Sequence, residues 1–342
     1  MRTAGGSPLD AEGALALIRE YVSEKHPEGV DKVSVVPLSG DASTRRYYRL
    51  ENGARSFVLA LYPEPFLPEE LSYLAVHALL ESYELPVPAT VDVDGGRGIV
   101  LQEDLGTRTL QDDLKDASEA RREALYREAV DEIARLQMKA AQGSQKLDCF
   151  RIAFDIEKLS WELHYFLKHF VEGHRASDLT VEDRATLSEA FHELSREIAS
   201  WPRVLCHRDY HSRNLMPHAE RLYWIDFQDA RMGPSTYDLA SLLRDAYVDV
   251  PEALQEDLKE RFRQTAAPDE PREVFRRRFD LMCVQRNLKA LGTFGYMATV
   301  RHNPVYLPYI PTTLAHARHN LSRYPGLERL WRTLLRHVPE LG

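Results

Sequence analysis

The chain has 342 residues, of which 44% are hydrophobic and 28% charged, and its formal net charge is −9. That length suits one large domain or two lobes with separate cores. The acidic balance argues against a nucleic-acid-binding surface, and no apolar run is long enough to span a bilayer. The three cysteines (Cys149, Cys206 and Cys283) lack metal-like spacing and read as buried thiols in a reducing compartment. The N-terminus "MRTAGGSPLD" has no apolar signal region, so a cytoplasmic protein is expected.

The first predicted element is a helix. Ser7 can cap it, Pro8 suits its first turn, Asp10 follows three residues on, and Leu15, Ile18 and Val22 recur at helical spacing. From Val33 the runs "VSVVPL", "RRYYRL" and "RSFVLALY" alternate with the turn-rich "SGDAST" and "ENGA", which predicts an antiparallel meander. A helix from Pro68 to Tyr83 and a strand from Gly98 to Gln102 complete a small α+β lobe, residues 1–104.

After "EDLGTRTL" the texture becomes helical. Leu125, Ala129, Ile133 and Leu136 form one apolar stripe, and Ile156, Leu159, Leu163, Phe166 and Phe170 form another. Further helices are expected at 181–200, 235–247, 251–265, 272–298 and 312–337. Two strand-like pieces, "RVLCH" and "RLYWIDF", interrupt them. The expected class is α+β: a small lobe built on an antiparallel sheet, followed by a mostly helical lobe at 105–342.

The chemistry gathers in "HRDYHSRN" (207–214) and "YWIDFQDARMGPSTYDLA". Asp209 lies two residues after His207, Asn214 five after Asp209, and Asp226 twelve after Asn214. Asp226 ends an apolar run, and Pro217 lies in a segment able to turn, so a hairpin would bring Asp209, Asn214 and Asp226 to one end. An amide oxygen and a carboxylate suit Mg²⁺, which prefers hard oxygen ligands and leans on phosphates. Asp209 is then left to orient a substrate hydroxyl and accept its proton. This order and spacing match the kinase arrangement of catalytic-loop Asp, catalytic-loop Asn and metal-binding Asp. His207 is expected to brace the loop. Asp238, in "STYDLASLL", is either a helix N-terminal charge or a structural partner of that loop.

The sequence resembles the aminoglycoside phosphotransferase superfamily, which shares the two-lobed protein-kinase-like fold, over nearly its whole length. Within it, "GDASTRRYYR", "HRDYHSRNLM", "VQRNLKALGTF" and "IDFQDARMGPSTYDL" are most similar to bacterial kinases. These act on the anomeric hydroxyl of N-acetylmuramate and N-acetylglucosamine in cell-wall recycling. The resemblance implies that Asp209 is the catalytic base, that Asn214 and Asp226 are Mg²⁺ ligands, and that ATP and a small amino sugar are the partners. It makes "LQEDLG" the segment joining the lobes, with backbone around Glu103 to Leu105 holding adenine. It also makes "SGDAST", Ser43 included, the hairpin covering the phosphates.

Two departures stand out. "DFQ" replaces the Asp-Phe-Gly of protein kinases, and the strand position where the family carries a phosphate-binding lysine is Ala60. Arg45 and Arg46 directly follow the hairpin. Strand alternation sends them to opposite faces, so one of them is expected to take over the phosphate. In the helical lobe Arg286 lies on a mostly apolar face with Phe279, Met282, Cys283 and Ala290, with Lys289 nearby. Both are expected at the substrate, or Arg286 in a structural salt bridge. Two other readings stay open: a kinase of another small alcohol (aminoglycoside, choline-like or homoserine), or a catalytically inactive binding protein. The sequence leaves the oligomeric state open.

Overall fold

The computed structural model describes residues 10–25, 33–38, 45–143 and 145–342. The expected helix start at Ser7 and Pro8, and the whole "SGDAST" separator with Ser43, lie outside them. Helix α1 (Ala11–Lys25) begins at Asp10, whose Oδ1 accepts from Gly13 N at 2.8 Å. It leads to β1 (Ser34–Leu38), β2 (Arg46–Asn52) and β3 (Arg55–Leu61), then α2 (Ser72–Ser82), β4 (Thr90–Asp94) and β5 (Ile99–Glu103). The five strands form one antiparallel sheet in the order β1-β2-β3-β5-β4. Edge strand β4 reads poorly in the sequence because "TVDVD" alternates with aspartates. Its Asp92 is taken up by Tyr21 of α1 at 2.7 Å, and Asp94 by Arg97 at 2.8 Å.

Alternation along the strands gives the sheet two faces. Tyr48, Leu50, Leu59, Leu61, Ile99 and Leu101 pack beneath Ala14, Ile18, Tyr21 and Val22 of α1 as one core. Ala60 and Val100 face the other way and join Tyr73, Val76 and Leu80 of α2 in the main core. Arg49 grips the outgoing connection. Its Nε and Nη2 reach both oxygens of Asp104 (2.6 and 3.0 Å), and Nη2 also donates to Gly106 O at 2.9 Å.

The rest is mainly helical: α3 (Leu110–Asp116), α4 (Glu119–Gln142), α5 (Ile156–Phe166, continuing as a π-helical segment, Leu167–His174) and α6 (Val181–Ala199). Short strands β6 (Arg203–Cys206), β7 (Leu215–His218), β8 (Arg221–Trp224) and β9 (Arg231–Pro234) follow, pairing β6 with β9 and β7 with β8. Then come α7 (Tyr237–Leu243), α8 (Glu252–Ala266), α9 (Arg272–Thr299), α10 (Ile310–Leu321) and α11 (Glu328–Leu335).

The single helix expected at 312–337 is in fact two. Pro325, with no N–H to give, and Gly326 start a short 3₁₀ turn between them. Two glycines of α9 set its distance from α5. A Cβ on Gly292 would lie 2.8 Å from Phe166 Cα, and one on Gly295 would lie 2.3 Å from His169 O. This close approach brings the side chains of α5 and α9 together beside the β6–β7 loop. Among the described residues, no helix is long and apolar enough to cross a membrane.

Candidate active site

The 207–214 loop runs from the end of β6 to the start of β7, and its backbone is held from several sides. Asp238, in the first turn of α7 and fully buried, accepts from His207 N at 2.7 Å and Arg208 N at 3.0 Å. Asp245 accepts from Ser212 N and Tyr247 N, both at 2.9 Å. Arg286 Nη1 donates to Arg208 O at 3.0 Å, and its guanidinium also bonds Ser241 Oγ and lies 4.3 Å over the Tyr237 ring. This bracing holds Arg208 at φ +86°, a left-handed conformation costly for a non-glycine residue.

The hairpin expected between Asn214 and Asp226 is β7–β8. Ile225 N donates to Asn214 O at 3.0 Å, and Asn214 Nδ2 donates to Asp209 O at 2.9 Å. Asp209, Asn214 and Asp226 therefore meet at one end of it. His207 is 1% exposed, and its Nε2–H donates to Ile225 O at 3.1 Å, tying the loop to the residue before Asp226. Burial pushes the His207 pKa down to about 4, so the ring is neutral near pH 7. Burial pushes the Asp238 carboxyl up to about 6, against the two backbone N–H bonds that favour its charged form.

Asp209 opens onto a pocket that includes His211, Asp245, Tyr247, Arg286 and Lys289. Lys289 Nζ lies 3.6 Å from Asp209 Oδ1, and Arg208 Nε lies 3.6 Å from Oδ2. Burial opposes ionisation of Asp209, yet the charges of Lys289, Arg208 and Arg286 overturn it and hold the carboxyl well below the ordinary range. Lys289 also lies 4.0 Å from Glu162, a 2%-exposed carboxylate on α5 that accepts from Gln285 Nε2 at 2.8 Å.

Asp226 faces the sheet. Arg45 Nη2 lies 3.4 Å from its Oδ1, and Gln228 of the "DFQ" run donates to the same oxygen at 2.7 Å. Desolvation in the cleft, with Asp209 adding a like charge, pushes the Asp226 carboxyl above its usual range. The expected alternation is plain. Arg45 lies near the Tyr47 and Tyr62 rings (5.8 Å each), whereas Arg46 shares the α1 face with Tyr48 and Leu50 and donates to Asp10 O at 3.0 Å. The structure thus turns Arg46 away from the site. Ala60 is 4% exposed and pairs across the sheet with Tyr47.

In the connecting segment Leu105 is 6% exposed; Glu103 N donates to Ala89 O at 2.8 Å, and its side-chain Oε2 accepts from Ala89 N at 3.1 Å. Among the described residues no group of three or more His, Cys, Asp or Glu could hold a metal unaided. The two hard oxygen donors, Asn214 and Asp226, fit a divalent cation that completes its shell with phosphate and water. His211, Asp245 and Glu162 were not singled out in the sequence. Only the local "HRDYHSRN" context pointed toward His211.

The model of the phosphotransferase enzyme family matches residues 34–274. An N-acetylmuramate/N-acetylglucosamine kinase of Pseudomonas putida is 33% identical over 302 residues, covering 87% of this chain and 86% of that protein. A kinase of the same name from Neisseria meningitidis is 32% identical, covering 88% and 89%. Among solved structures, aminoglycoside phosphotransferase APH(2'')-Ib in its ADP-bound form superposes with a TM-score of 0.59 at 17% identity, covering 90% of this chain and 98% of that one. That likeness carries the two-lobed, protein-kinase-like fold. A carboxylate-lined loop beneath an antiparallel sheet, a family model spanning most of the chain and relatives at a third identity converge on one conclusion: the chain belongs to the phosphotransferase enzyme family, as a kinase with an alcohol acceptor.

Proposed function

We propose that the protein transfers the γ-phosphoryl group of ATP to the anomeric hydroxyl of an N-acetylated amino sugar, N-acetylmuramate or N-acetylglucosamine, in cell-wall recycling. The observation that carries this reading is Asp209, held at the mouth of a pocket beside Lys289 in a chain so similar to kinases named for these sugars. Residues 1–104 are the nucleotide lobe, and residues 105–342 the catalytic and acceptor lobe. Three buried free thiols and dependence on ATP suit a cytoplasmic enzyme.

Asp209 orients the acceptor hydroxyl and takes its proton. With neighbouring cations holding it far below the ordinary range, it is a weak base, able to accept that proton only as transfer advances. Such a base suits the most acidic hydroxyl of a sugar, the anomeric one. Asn214 and Asp226 are the residues that would hold Mg²⁺, which would supply charge neutralisation for the transferring phosphoryl group. Arg45 supplies the cation that Ala60 lacks, and a guanidinium can grip phosphate through two N–H bonds. Arg286 fixes the loop from behind, and Lys289 stands where acceptor and phosphoryl group meet.

The test is a panel of amino sugars, aminoglycosides and amino alcohols incubated with ATP and Mg²⁺. Turnover confined to N-acetylated amino sugars supports the reading; preference for an aminoglycoside or amino alcohol overturns it.

A further inference from the structure

The acceptor pocket has Tyr247 and Phe294 in its wall, and a cation of the protein itself lies against the Tyr247 ring. Arg213, on the catalytic loop between Asp209 and Asn214, places its Cζ 3.9 Å from the Tyr247 ring centroid, 5.0 Å from Tyr309 and 5.7 Å from Tyr306. Three rings around one positive centre within about 6 Å is the arrangement by which proteins bind ammonium and guanidinium groups on π faces. The guanidinium is fixed there. Its Nη2 donates to Tyr309 Oη at 2.8 Å and its Nε to Gln111 Oε1 at 3.0 Å.

This aromatic cluster is continuous with the pocket. Tyr247 lines it together with Asp209, as does Phe294, which stacks on Tyr306 at 5.4 Å. The pocket's other charges lean the same way. Lys289 and Arg286 stand in its wall, while Asp245 is engaged by two backbone N–H groups and Asp209 faces Lys289. An incoming ammonium would find the π faces already occupied by a cation and would meet further positive charge.

We propose that Arg213 is a specificity-determining residue: it fills the aromatic cage and so excludes cationic alcohols, leaving the pocket to neutral or anionic acceptors. The proposal rests on the kinase reading above and narrows its substrate class. It gives a physical ground for setting aside choline-like and aminoglycoside acceptors, which net charge alone would have favoured.

The test compares two sugars that differ in charge, N-acetylglucosamine and glucosamine, at a pH low enough to keep the glucosamine amine protonated. Turnover is measured for the full-length enzyme, Arg213→Met and Arg213→Lys. The parent should favour the neutral sugar in kcat/KM. Arg213→Met, which keeps the reach but loses the charge, should lower that preference about thirtyfold, the scale of one desolvated cation–π interaction. Arg213→Lys, which keeps the charge, should stay within about twofold of the parent. A preference unmoved in Arg213→Met, or moved equally in Arg213→Lys, overturns the proposal.

Calorimetric titration with choline and ATP–Mg²⁺ separates this failure from failure of the kinase reading, because it needs no turnover. Choline should bind Arg213→Met and not the parent. Choline binding as tightly to the parent contradicts the cage-filling role, whatever sugar the enzyme phosphorylates. Where Arg213→Met does not fold, the parent alone decides: equal affinity for glucosamine and N-acetylglucosamine overturns the proposal.

Discussion

On the helical side of the cleft, the 207–214 loop is held by Asp238, Asp245, Asn214, His207 and Arg286, each through bonds to backbone groups. On the sheet side, the residue facing Asp226 is Arg45, a long side chain reaching 3.4 Å from the start of β2 past Tyr47 and Tyr62. The first wall fixes geometry redundantly. The second supplies charge through a side chain with several rotatable bonds. A reaction that depends on in-line placement of a hydroxyl needs rigidity where the hydroxyl is oriented. Phosphate binding asks only for a cation within reach, which is the role proposed for Arg45, one strand away from Ala60.

The largest effect should come from breaking the rigid wall at its reacting atom. Asp209→Ala should lower kcat by about 10²–10⁴-fold, the usual contribution of a positioned base, while ATP affinity changes little. Asp226→Ala should do the opposite, weakening Mg²⁺–nucleotide binding because the cation loses its charged ligand. Single-turnover kinetics with separate nucleotide titrations check both. Equal effects of the two variants on nucleotide affinity would erase the distinction between the walls.

The sheet wall is sharpened by its two adjacent arginines. Arg45→Ala should weaken ATP binding by about 1.5–3 kcal/mol, the range for hydrogen bonds to charged groups. Arg46→Ala, whose guanidinium turns to Asp10 O, should bind ATP like the parent. If the two variants weaken ATP equally, strand alternation is not what selects the phosphate-binding side chain.

The smallest effect concerns pH. His207 in the folded chain titrates near 4 instead of its ordinary 6.5. Between those values the unfolded chain binds more protons, so this group's contribution to stability is lost as pH falls from about 6.5 towards 4. Buried Asp238, raised to about 6 from 3.8, works against it: the folded chain binds more protons between those values. Urea midpoints across that window should therefore change little with acid in the parent and, with Asp238 unopposed, rise as pH falls in His207→Asn. A decline in the variant would contradict neutral, buried His207.

Part of the rigid wall was legible because the candidate residues of the 207–214 loop share one short stretch. The spacing of Asp209, Asn214 and Asp226 around a turn-forming segment is a local property, and the β7–β8 hairpin realises it. Asp245 and Glu162 were not legible, since nothing in "LLRDAYV" or "SWELHYF" reveals that the fold turns these carboxylates toward a loop and a lysine far away in the chain. Arg286 was legible as a buried cation needing acceptors; only the packing of α9 shows that a backbone carbonyl and a serine provide them. On the sheet side, period-2 alternation was enough to separate Arg45 from Arg46. The helix break at Pro325 and Gly326 was written in the sequence and was outweighed by the apolar spacing on either side.

The most direct test of the account is the identity of the phosphorylated atom. N-acetylglucosamine is incubated with ATP, Mg²⁺ and the enzyme, and the product is followed by ³¹P NMR before and after mild acid. The proposed pairing of Asp209 with the most acidic sugar hydroxyl predicts a 1-phosphate whose signal is coupled to the anomeric proton and gives way to inorganic phosphate in acid. An acid-stable product with phosphorus on another hydroxyl would contradict it.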